Sequence, residues 1–406
     1  MRSGALWLLV VLAAASCTSP APAAVTAPPS ATAASTASPA PTASRAEGSP
    51  SVTAAIAQFR AIQRLDARVG WVSGNSGLTP ALLRTTDGGA TWASLPTLGA
   101  WFTKLVFVDA RAGWAIATTP PSCRAPGASP CTSAIFVTTD GGDHWIEVLR
   151  APDDPDRGPA FVDLAAIDAQ HAWIVFRITQ CDPEGCAHQI QGTDDGGAHW
   201  KVLRQPFIAT AIVRTSVTTG WLIGSNTPAR GGPILGTADA GATWTQQFQS
   251  SLQPVLLTAR TDRTAWALYR DGSFCTASSC AKYDLVRTTD GVAWTSLGNP
   301  FAGVASGSGS CGGFLDQISF GDETAGWITT NGGAGGVVGP AGGVLRTSDG
   351  GRSWMCQTGP ASTVLVSGAS AQSVWVTSRD RTTNTDTLWG SDDGGRTWKQ
   401  VPISVR

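Results

Sequence analysis

The chain has 406 residues, a formal net charge of −1 and only 14% charged residues, against about 25% in typical soluble proteins. No global basic field is present, so the composition argues against nucleic-acid binding. The 47 glycines and 17 tryptophans, together with many Val and Thr residues and few helix formers, predict an all-β protein.

The first residues have the features of an export signal. Arg2 supplies a positive charge, and residues 5–15 form an apolar run too short for an ordinary transmembrane helix. The following sequence Ala14-Ala15-Ser16-Cys17 resembles a bacterial lipobox, although Ala14 stands where most lipoboxes have Leu. We therefore expect residues 1–17 to be a lipoprotein signal peptide, Cys17 to be lipidated, and the mature protein to be lipid-anchored in the cell envelope, outside the cytoplasm. The alternative is a plain secretory signal cleaved near Ala15.

A low-complexity segment separates this signal from the rest of the chain. Residues 18–51 consist almost entirely of Ala, Pro, Ser and Thr, and their charged members are Arg45 and Glu47. Such a composition cannot bury enough apolar surface to offset the entropy of ordering. The segment is predicted to be a disordered linker.

Residues 52–406 repeat a motif of the form Ser/Thr-x-Asp-x-Gly-x-x-Trp, here called the box, whose first copy is Thr85-Thr86-Asp87-Gly88-Gly89-Ala90-Thr91-Trp92. The box occurs seven times, and the fifth copy is one residue short. Its aspartates are Asp87, Asp140, Asp195, Asp239, Asp290, Asp349 and Asp393. Their spacing of 44 to 59 residues is that of propeller blades.

Three further columns support the repeat. Each box is preceded by a second tryptophan, here called the strand-B tryptophan: Trp71, Trp114, Trp173, Trp221, Trp266, Trp327 and Trp375. Nine residues before it stands an apolar residue: Ile62, Leu105, Leu164, Ile212, Leu257, Ile318 or Val366. Three residues before each box stands another: Leu82, Ile135, Ile190, Ile234, Leu285, Val344 or Leu388.

Each unit is predicted to form four short strands, named A to D in chain order. In blade 2, strand A is predicted over residues 104–108. Seven such units predict a seven-bladed β-propeller of four-stranded antiparallel blades. Since no spare strand is evident, we expect the ring to close by packing of blade 1 against blade 7.

The units resemble the Asp-box (BNR) repeats of sialidases and sortilin-type receptors. They are most similar to the Ycf48/HCF136-like photosystem II assembly propellers, whose repeats have the form Gly-Trp…Leu-Arg-Thr-Thr-Asp-Gly-Gly-x-Thr-Trp. The resemblance covers about 350 residues of this chain. It implies a propeller fold and a role in protein binding or complex assembly, without a cofactor.

The box aspartates are interpreted as structural rather than catalytic, because an Asp side chain can accept backbone N–H groups of its own turn. Metal binding by the boxes is not expected. A–B turns and boxes are predicted to lie on one face of the ring, and the B–C and D–A loops on the other. The long loops, which are the B–C loops of blades 2, 3, 5 and 6 and the connector 298–313, place any ligand site on the second face.

Cysteines other than Cys17 are predicted to form disulfides in the oxidising exported setting. Three pairs are close in sequence, and the fourth follows by elimination: Cys123–Cys131, Cys181–Cys186, Cys275–Cys280 and Cys311–Cys356. A partial metal site formed by Cys181, Cys186 and His188 is the alternative for the second pair, although a fourth ligand is missing.

Two functions remain open. The first is a monomeric, non-enzymatic module that binds an unknown protein or glycan on the B–C/D–A loop face and reaches the membrane through its lipid only. The second is a carbohydrate-binding protein or a sialidase-like glycoside hydrolase. Sialidases use a Tyr nucleophile and an Arg triad, and the tyrosines here are Tyr269 and Tyr283, of which Tyr283 is expected in a disulfide-flanked loop. Phe176-Arg177-Ile178-Thr179 resembles the Arg-bearing motif of sialidases but lacks its proline, and we interpret it as a coincidence. Asp163 and Asp316 could instead form a carboxylate pair, unless they are solvated edge residues. No catalytic, cofactor or metal residue is assigned.

Overall fold

The fold was obtained as a computed structural model, which describes residues 56–119, 131–153, 160–177, 188–203, 208–224, 231–271, 282–304, 311, 314–331 and 342–403. The predicted signal peptide, Cys17 and the linker lie outside the described residues. No helix among the described residues has the length and apolar character that a transmembrane span requires.

The described residues form 28 strands. The A strands are β1 Gln58–Arg64, β5 Trp101–Phe107, β9 Phe161–Ala166, β13 Ala209–Arg214, β17 Gln253–Ala259, β21 Phe314–Phe320 and β25 Thr363–Gly368. The B strands are β2 Gly70–Ser76, β6 Gly113–Thr118, β10 Ala172–Arg177, β14 Gly220–Gly224, β18 Ala265–Arg270, β22 Gly326–Asn331 and β26 Val374–Asp380. The C strands are β3 Thr79–Thr85, β7 Thr132–Thr138, β11 His188–Thr193, β15 Gly232–Thr237, β19 Tyr283–Thr288, β23 Val344–Thr347 and β27 Thr385–Ser391. The D strands are β4 Ala93–Ser94, β8 Ile146–Pro152, β12 Lys201–Leu203, β16 Thr245–Ser250, β20 Trp294–Gly298, β24 Met355–Gln357 and β28 Lys399–Gln400.

These strands make seven separate four-stranded antiparallel sheets in the order A–B–C–D. The predicted seven-bladed propeller is therefore confirmed. Every sheet uses four consecutive strands, so no strand described here is exchanged between blades. All seven strand-C column residues are at most 1% exposed, whereas Ile62, Leu257 and Ile318 of the strand-A column are half-buried. The strand-A column is less buried because strand A is the innermost strand of each blade, beside the central channel.

Every inner strand carries a register shift in its pairing with strand B, two residues before its column residue. The extra residues are Arg60, Thr103, Val162, Thr210, Val255, Asp316 and, in blade 7, the pair Val364 and Leu365. Such β-bulges bend a strand and redirect its side chains. The bulge recurs at the same point of each blade, towards the end at which strand A begins.

The strand-B tryptophans join neighbouring blades. Trp71 of blade 1 stacks on Phe107 of blade 2 with ring centroids 3.6 Å apart, and its indole N–H donates to the carbonyl of Gly141, 2.9 Å away in the second box. Each of the seven is at most 1% exposed. The residue before the tryptophan is often Gly for a steric reason: a Cβ on Gly70 would lie 2.6 Å from the Trp375 ring of the preceding blade.

Side chains of one inner strand also bond to the backbone of the next. The side-chain oxygen of Gln317 in blade 6 accepts the N–H of Val366 in blade 7 at 3.1 Å. Two serine hydroxyls make the equivalent bond at successive seams. Ser319 of blade 6 accepts the N–H of Gly368 in blade 7, and Ser367 of blade 7 accepts the N–H of Arg64 in blade 1, both at 2.9 Å. Because each contact satisfies a backbone N–H at the channel wall, these bonds fasten the blades into a ring.

The ring closes as predicted, by packing of blade 7 against blade 1. The N–H of Phe59 donates to Asp386 at 2.8 Å, and the N–H of Asp386 donates to the carbonyl of Ala57 at 2.8 Å. Further out, the indole of Trp92 donates to the carbonyl of Pro402 at 3.0 Å. Closure therefore uses hydrogen bonds and buried rings instead of an exchanged strand.

Candidate functional site

The seven box aspartates close turns. In the first box, the Asp87 carboxylate accepts the Thr85 hydroxyl at 2.8 Å, the Thr91 N–H at 2.8 Å and the Thr91 hydroxyl at 2.6 Å. The Thr85 hydroxyl in turn accepts the Gly89 N–H at 2.9 Å. Since the carboxylate finds these partners within its own turn, the geometry supports a structural role for it.

Two boxes have histidine at the position of Thr91 and keep the same turn. His144 and His199 approach Asp140 and Asp195 through Nδ1, at 2.6 and 2.7 Å. The short fifth box differs more, because Asp290 accepts two backbone N–H groups from the residues that immediately follow its glycine. The box histidines therefore serve the turn and form no base–nucleophile pair.

Hydrogen bonds hold the box carboxylates ionised. The Thr91 hydroxyl bond, followed by the Thr91 N–H bond, lowers the pKa of Asp87 to about 2. Equivalent bonds from Thr243 lower the pKa of Asp239 to about 2, and those from His199, led by its backbone N–H, do the same for Asp195. A carboxylate with a low pKa is a poor proton donor or base near neutral pH, which also argues against catalysis by the boxes.

Backbone bonds place the boxes beside the A–B turns. In blade 1, the N–H of Gly88 donates to the carbonyl of Arg68 at 2.7 Å, and in blade 2 the N–H of Gly141 donates to Arg111 at 2.8 Å. We name this end of the ring the box face. The opposite end, formed by B–C and D–A loops, is the loop face.

The A–B turns contain a cap that the sequence analysis missed. In blade 1, Asp66 accepts the N–H groups of Arg68 and Val69, both at 2.7 Å. An Asp, Ser or Thr at the same position, five residues before the strand-B tryptophan, caps every turn: Asp66, Asp109, Asp168, Ser216, Thr261, Asp322 and Ser370. The column is visible in the sequence once the tryptophans are aligned.

Both tyrosines considered for sialidase chemistry are structural. Tyr269 is fully buried between blades 4 and 5, and burial raises the pKa of its hydroxyl. Tyr283 is 4% exposed, and its hydroxyl accepts the N–H of Leu315 at 3.2 Å. It begins strand β19, which corrects the expectation that it lies in a loop. Neither hydroxyl is placed to attack a bound sugar.

Asp163 is neither a solvated edge residue nor a free carboxylate. It is 7% exposed and lies in the inner strand of blade 3. It pairs with the ammonium group of Lys104 in blade 2, and its second oxygen accepts the N–H of Ile212 in blade 4 at 2.9 Å. The residue thus connects three consecutive blades, and the register places Asp316 at a different position, on the bulge of blade 6.

Arg177 and His188 lie opposite each other at the loop-face end of blade 3. His188 bonds through Nδ1 to the carbonyl of Ala209, and burial, with a smaller contribution from Arg177, lowers the pKa of the imidazole. Cys181, Cys186, Ile178 and Thr179 lie outside the described residues, as do most of the predicted long loops. Within the part of the chain that the structure describes, no cluster of His, Cys, Asp and Glu could hold a metal ion.

The predicted Cys311–Cys356 disulfide is present. It ties the connector that precedes strand A of blade 6 to strand D of the same blade, across a Cα–Cα distance of 5.6 Å. Cys131 is also disulfide-bonded. The remaining predicted members, Cys123, Cys275 and Cys280, lie outside the described residues.

The most distinctive described feature of the loop face is a cationic and aromatic cluster at the channel mouth. Arg60, the bulge residue of blade 1, lies over the Trp101 ring of blade 2, with its Cζ 3.7 Å from the ring centroid. Its Nε donates to Asn75 at 2.9 Å. Its two Nη groups find no acceptor among the described residues, and the same is true of the buried Trp101 indole N–H. We name Arg60, Trp101 and Arg379 the rim.

Arg379 brings a second guanidinium to the rim from blade 7. It makes a bidentate ion pair with Asp386, in which Nε and Nη2 donate to the two carboxylate oxygens at 2.7 and 2.9 Å. This hydrogen bonding raises the pKa of Arg379. Burial, and after it the charge of Arg379, lower the pKa of Arg60. Asp386 neutralises one of the two arginines, so the rim keeps one net positive charge that no described carboxylate balances.

Strained backbone is concentrated on the same face. Outside glycine, positive φ occurs at four described residues, and three of them lie in loop-face turns: Leu98, Ser362 and Asn384, with φ of 53°, 53° and 55°. Asn384 lies in the B–C turn of blade 7. Leu98 lies in the connector between blades 1 and 2, and Ser362 lies in the connector between blades 6 and 7. Strain of this kind persists where the surrounding structure fixes it and is often found at binding sites.

Comparison with known proteins supports the fold. No protein-family model matches the sequence, and no curated protein matches it. Among solved structures, Ycf48 bound to D1 peptide matches over 87% of this chain and 94% of that chain, with 16% identity and a TM-score of 0.50. A puromycin-hydrolysing peptidase of Mycobacterium tuberculosis matches over 86% of this chain and 54% of that chain, with 9% identity and a TM-score of 0.52. The GH74 enzyme of Niastella koreensis matches over 86% and 66%, with 11% identity and a TM-score of 0.45. At these identities, the likeness to the first two structures shows a shared fold alone.

Proposed function

We propose that this protein is a binding module that holds a carboxylate-bearing peptide segment of a partner protein at the rim. The observation that carries the proposal is the Arg60 guanidinium, whose Cζ lies 3.7 Å from the Trp101 ring centroid, whose Nε is held by Asn75, and whose two Nη groups have no acceptor among the described residues. A guanidinium fixed in this way presents a fork that matches a carboxylate and loses little entropy on binding. Arg379 beside it adds to the positive potential.

A propeller of this fold with a bound peptide has been solved, namely Ycf48 with D1 peptide. We carry peptide binding over to this chain as a proposal, together with a role in assembling a larger complex. The glycosidase alternative has no comparable support, because Tyr269, Tyr283 and Asp163 are all engaged in the packing of the ring.

We further propose that the module is lipid-anchored in the cell envelope through Cys17. The supporting features are the apolar run, the lipobox-like residues 14–17 and the polar linker that follows them. Incorporation of radiolabelled palmitate into the full chain, and its loss in Cys17→Ala, would be expected. Equal labelling of the two proteins would reject the anchor at Cys17.

The binding proposal is tested by cross-linking the full-length protein in its native membranes and identifying partners by mass spectrometry. We expect Arg60→Gln to reduce recovery of the main partner at least tenfold. Arg68→Gln is the matched control, since Arg68 lies in the same blade on the box face and its removal should leave recovery unchanged. A partner recovered equally well with Arg60→Gln would show that the rim is not the site.

A further inference from the structure

A small pocket, apolar at its floor and polar at its outer edge, opens beside the rim in the seam between blades 1 and 2. It has a volume of about 100 Å³. One wall is the turn that connects the two blades. The floor is the face of the blade-2 sheet that packs against blade 1. The apolar lining consists of Leu98, Gly99, Ala100, Ala117, Ala134 and Phe136. Ala117 and Ala134 leave this space, because their side chains are short and both lie in the core cluster of this seam.

The lip of the pocket is held in an unfavourable conformation. The N–H of Ala100 donates to the carbonyl of Thr97 at 3.0 Å, which closes a turn with Leu98 and Gly99 at its centre. Leu98 has a φ of 53°, and the residue is 56% exposed to solvent. This region of φ is unfavourable for leucine, because its Cβ crowds the neighbouring carbonyl oxygen, whereas glycine would be unstrained there. The turn therefore presents an apolar side chain to solvent at a conformational cost, without any benefit to core packing.

The outer edge of the pocket is polar and fixed. Arg150 pairs with Glu147, and its Nη1 donates to the hydroxyl of Thr132 at 2.9 Å. Because this guanidinium is already bonded to a carboxylate, it does not compete with the rim for an anionic group. The pocket is thus suited to an uncharged aliphatic side chain, and the rim to a carboxylate.

Strand geometry sets the distance between the two sites. Phe102, the neighbour of Trp101, pairs with Ala117, which pairs with Ala134. The step from the inner strand to the pocket floor is therefore two strand spacings, or about 10 Å. An extended peptide rises about 3.3 Å per residue, so about three residues span this distance.

We propose that the pocket takes a small aliphatic side chain, Val, Leu or Ile, of the same partner segment whose carboxylate the rim binds, about three residues away. The segment would lie extended across the loop face, from the channel mouth towards the outer strands of blade 2. This inference rests on the proposed function and adds the sequence class of the ligand: an aliphatic residue and an acidic residue or chain end in a fixed spacing.

The test begins with selection of peptides from a random heptapeptide library on the immobilised full-length protein. An enriched peptide and a version with its aliphatic residue changed to Gly are then labelled and titrated by fluorescence polarisation. The pocket variants are Leu98→Gly, which removes the lip and relieves its strain, and Ala134→Val, which fills the floor. Ala240→Gly is the matched control, because Ala240 also has a positive φ, of 62°, but lies in a box turn on the opposite face of the ring.

We expect Leu98→Gly and Ala134→Val to weaken the aliphatic peptide about fivefold to tenfold and to leave the Gly version unchanged. Ala240→Gly should change neither titration, and Arg60→Gln should weaken both. Loss of binding in Leu98→Gly cannot be attributed to unfolding, since Gly suits this backbone better than Leu.

The contrary outcomes separate the two proposals. If Arg60→Gln weakens binding but both pocket variants do not, the rim is a site and the pocket inference is wrong. If no peptide depends on Arg60, the proposed function itself fails. If the wild-type protein forms a dimer that Leu98→Gly abolishes, the pocket belongs to a contact between copies of this chain, which also overturns the inference.

Discussion

The carboxylate of Asp163 in blade 3 accepts the backbone N–H of Ile212 in blade 4 at 2.9 Å, while its other oxygen pairs with Lys104 in blade 2. Removal of this carboxylate by Asp163→Ala leaves the ammonium group without its described partner and a backbone donor unpaired. We expect the free energy of unfolding to fall by about 2 kcal/mol, mainly because the buried N–H of Ile212 loses its acceptor, since the Lys104 side chain is partly exposed to solvent. Urea denaturation followed by tryptophan fluorescence measures the change.

The control for this prediction is the exposed ion pair of Asp194 with Lys201, at 3.1 Å in blade 3. Asp194→Ala should change the stability by less than about 1 kcal/mol, since exposed pairs contribute little. Similar small effects for both substitutions would contradict the structural role of Asp163 and restore it as a candidate catalytic group.

The stacking of Trp71 on Phe107 makes a second prediction. Phe107→Ala opens a cavity in the seam between blades 1 and 2, and we expect a loss of about 3 to 4 kcal/mol in unfolding free energy. Phe107→Leu keeps most of the volume and should cost less than half as much. Val292→Ala, at a residue 64% exposed, is the control and should be nearly neutral. Equal effects of the Ala and Leu substitutions would argue against a close stack.

Acid should weaken the turns of the box face. The hydrogen bonds in the boxes lower the pKa of Asp87, Asp195 and Asp239 to about 2, from an ordinary value of 3.8. A carboxylate whose folded pKa lies below its unfolded pKa stabilises the fold above the unfolded value and loses this contribution as the pH falls through the folded value. We therefore expect stability to decline from about pH 4 towards pH 2.

The pH dependence is measured as the urea midpoint between pH 7 and pH 2. Asp87→Asn should lower the midpoint at pH 7 and flatten the acid decline, because one titrating group has been removed. Asp262→Asn, at an exposed residue of an A–B turn, is the matched control. An unchanged slope in Asp87→Asn would show that the box carboxylates do not drive the acid transition.

The A–B caps give a prediction about which residues can replace one another. Asp66→Ala removes the acceptor for two backbone N–H groups and should cost about 1 kcal/mol. Asp66→Ser should recover most of this loss, because Ser216 and Ser370 cap the equivalent turns of blades 4 and 7. Thermal unfolding of the three proteins distinguishes the cases. A serine variant as unstable as the alanine variant would mean that the charge, rather than the hydrogen bonds, stabilises the turn.

The propeller could be predicted because its determinants recur. Seven copies of the box and of the apolar columns each report the same local geometry, so errors in one copy do not alter the conclusion. The A–B caps were missed although their column was equally visible. They were missed because Asp, Ser and Thr share a role as acceptors without sharing a residue type.

The rim could not be predicted, because it depends on residues that break the repeat. Trp101 lies outside both tryptophan columns, and strand A of blade 2 was predicted to begin at residue 104, whereas it begins at Trp101. Arg60 reaches this ring only because a bulge turns its side chain towards the neighbouring blade. Contacts across a seam depend on how two blades are placed, and a single blade's sequence does not encode that placement.

The same serine bond occurs at two seams that differ in the length of chain they enclose. Between blades 6 and 7, Ser319 and Gly368 are 49 residues apart, whereas between blades 7 and 1, Ser367 and Arg64 are 303 residues apart. For a flexible polymer, closing the longer loop costs about 1.6 kcal/mol more entropy. Bonds of the same kind must overcome this larger cost at the seam between blades 7 and 1. We therefore expect the ring to form by adding blades along the chain. We also expect it to open first between blades 7 and 1, next to the arginines of the channel mouth.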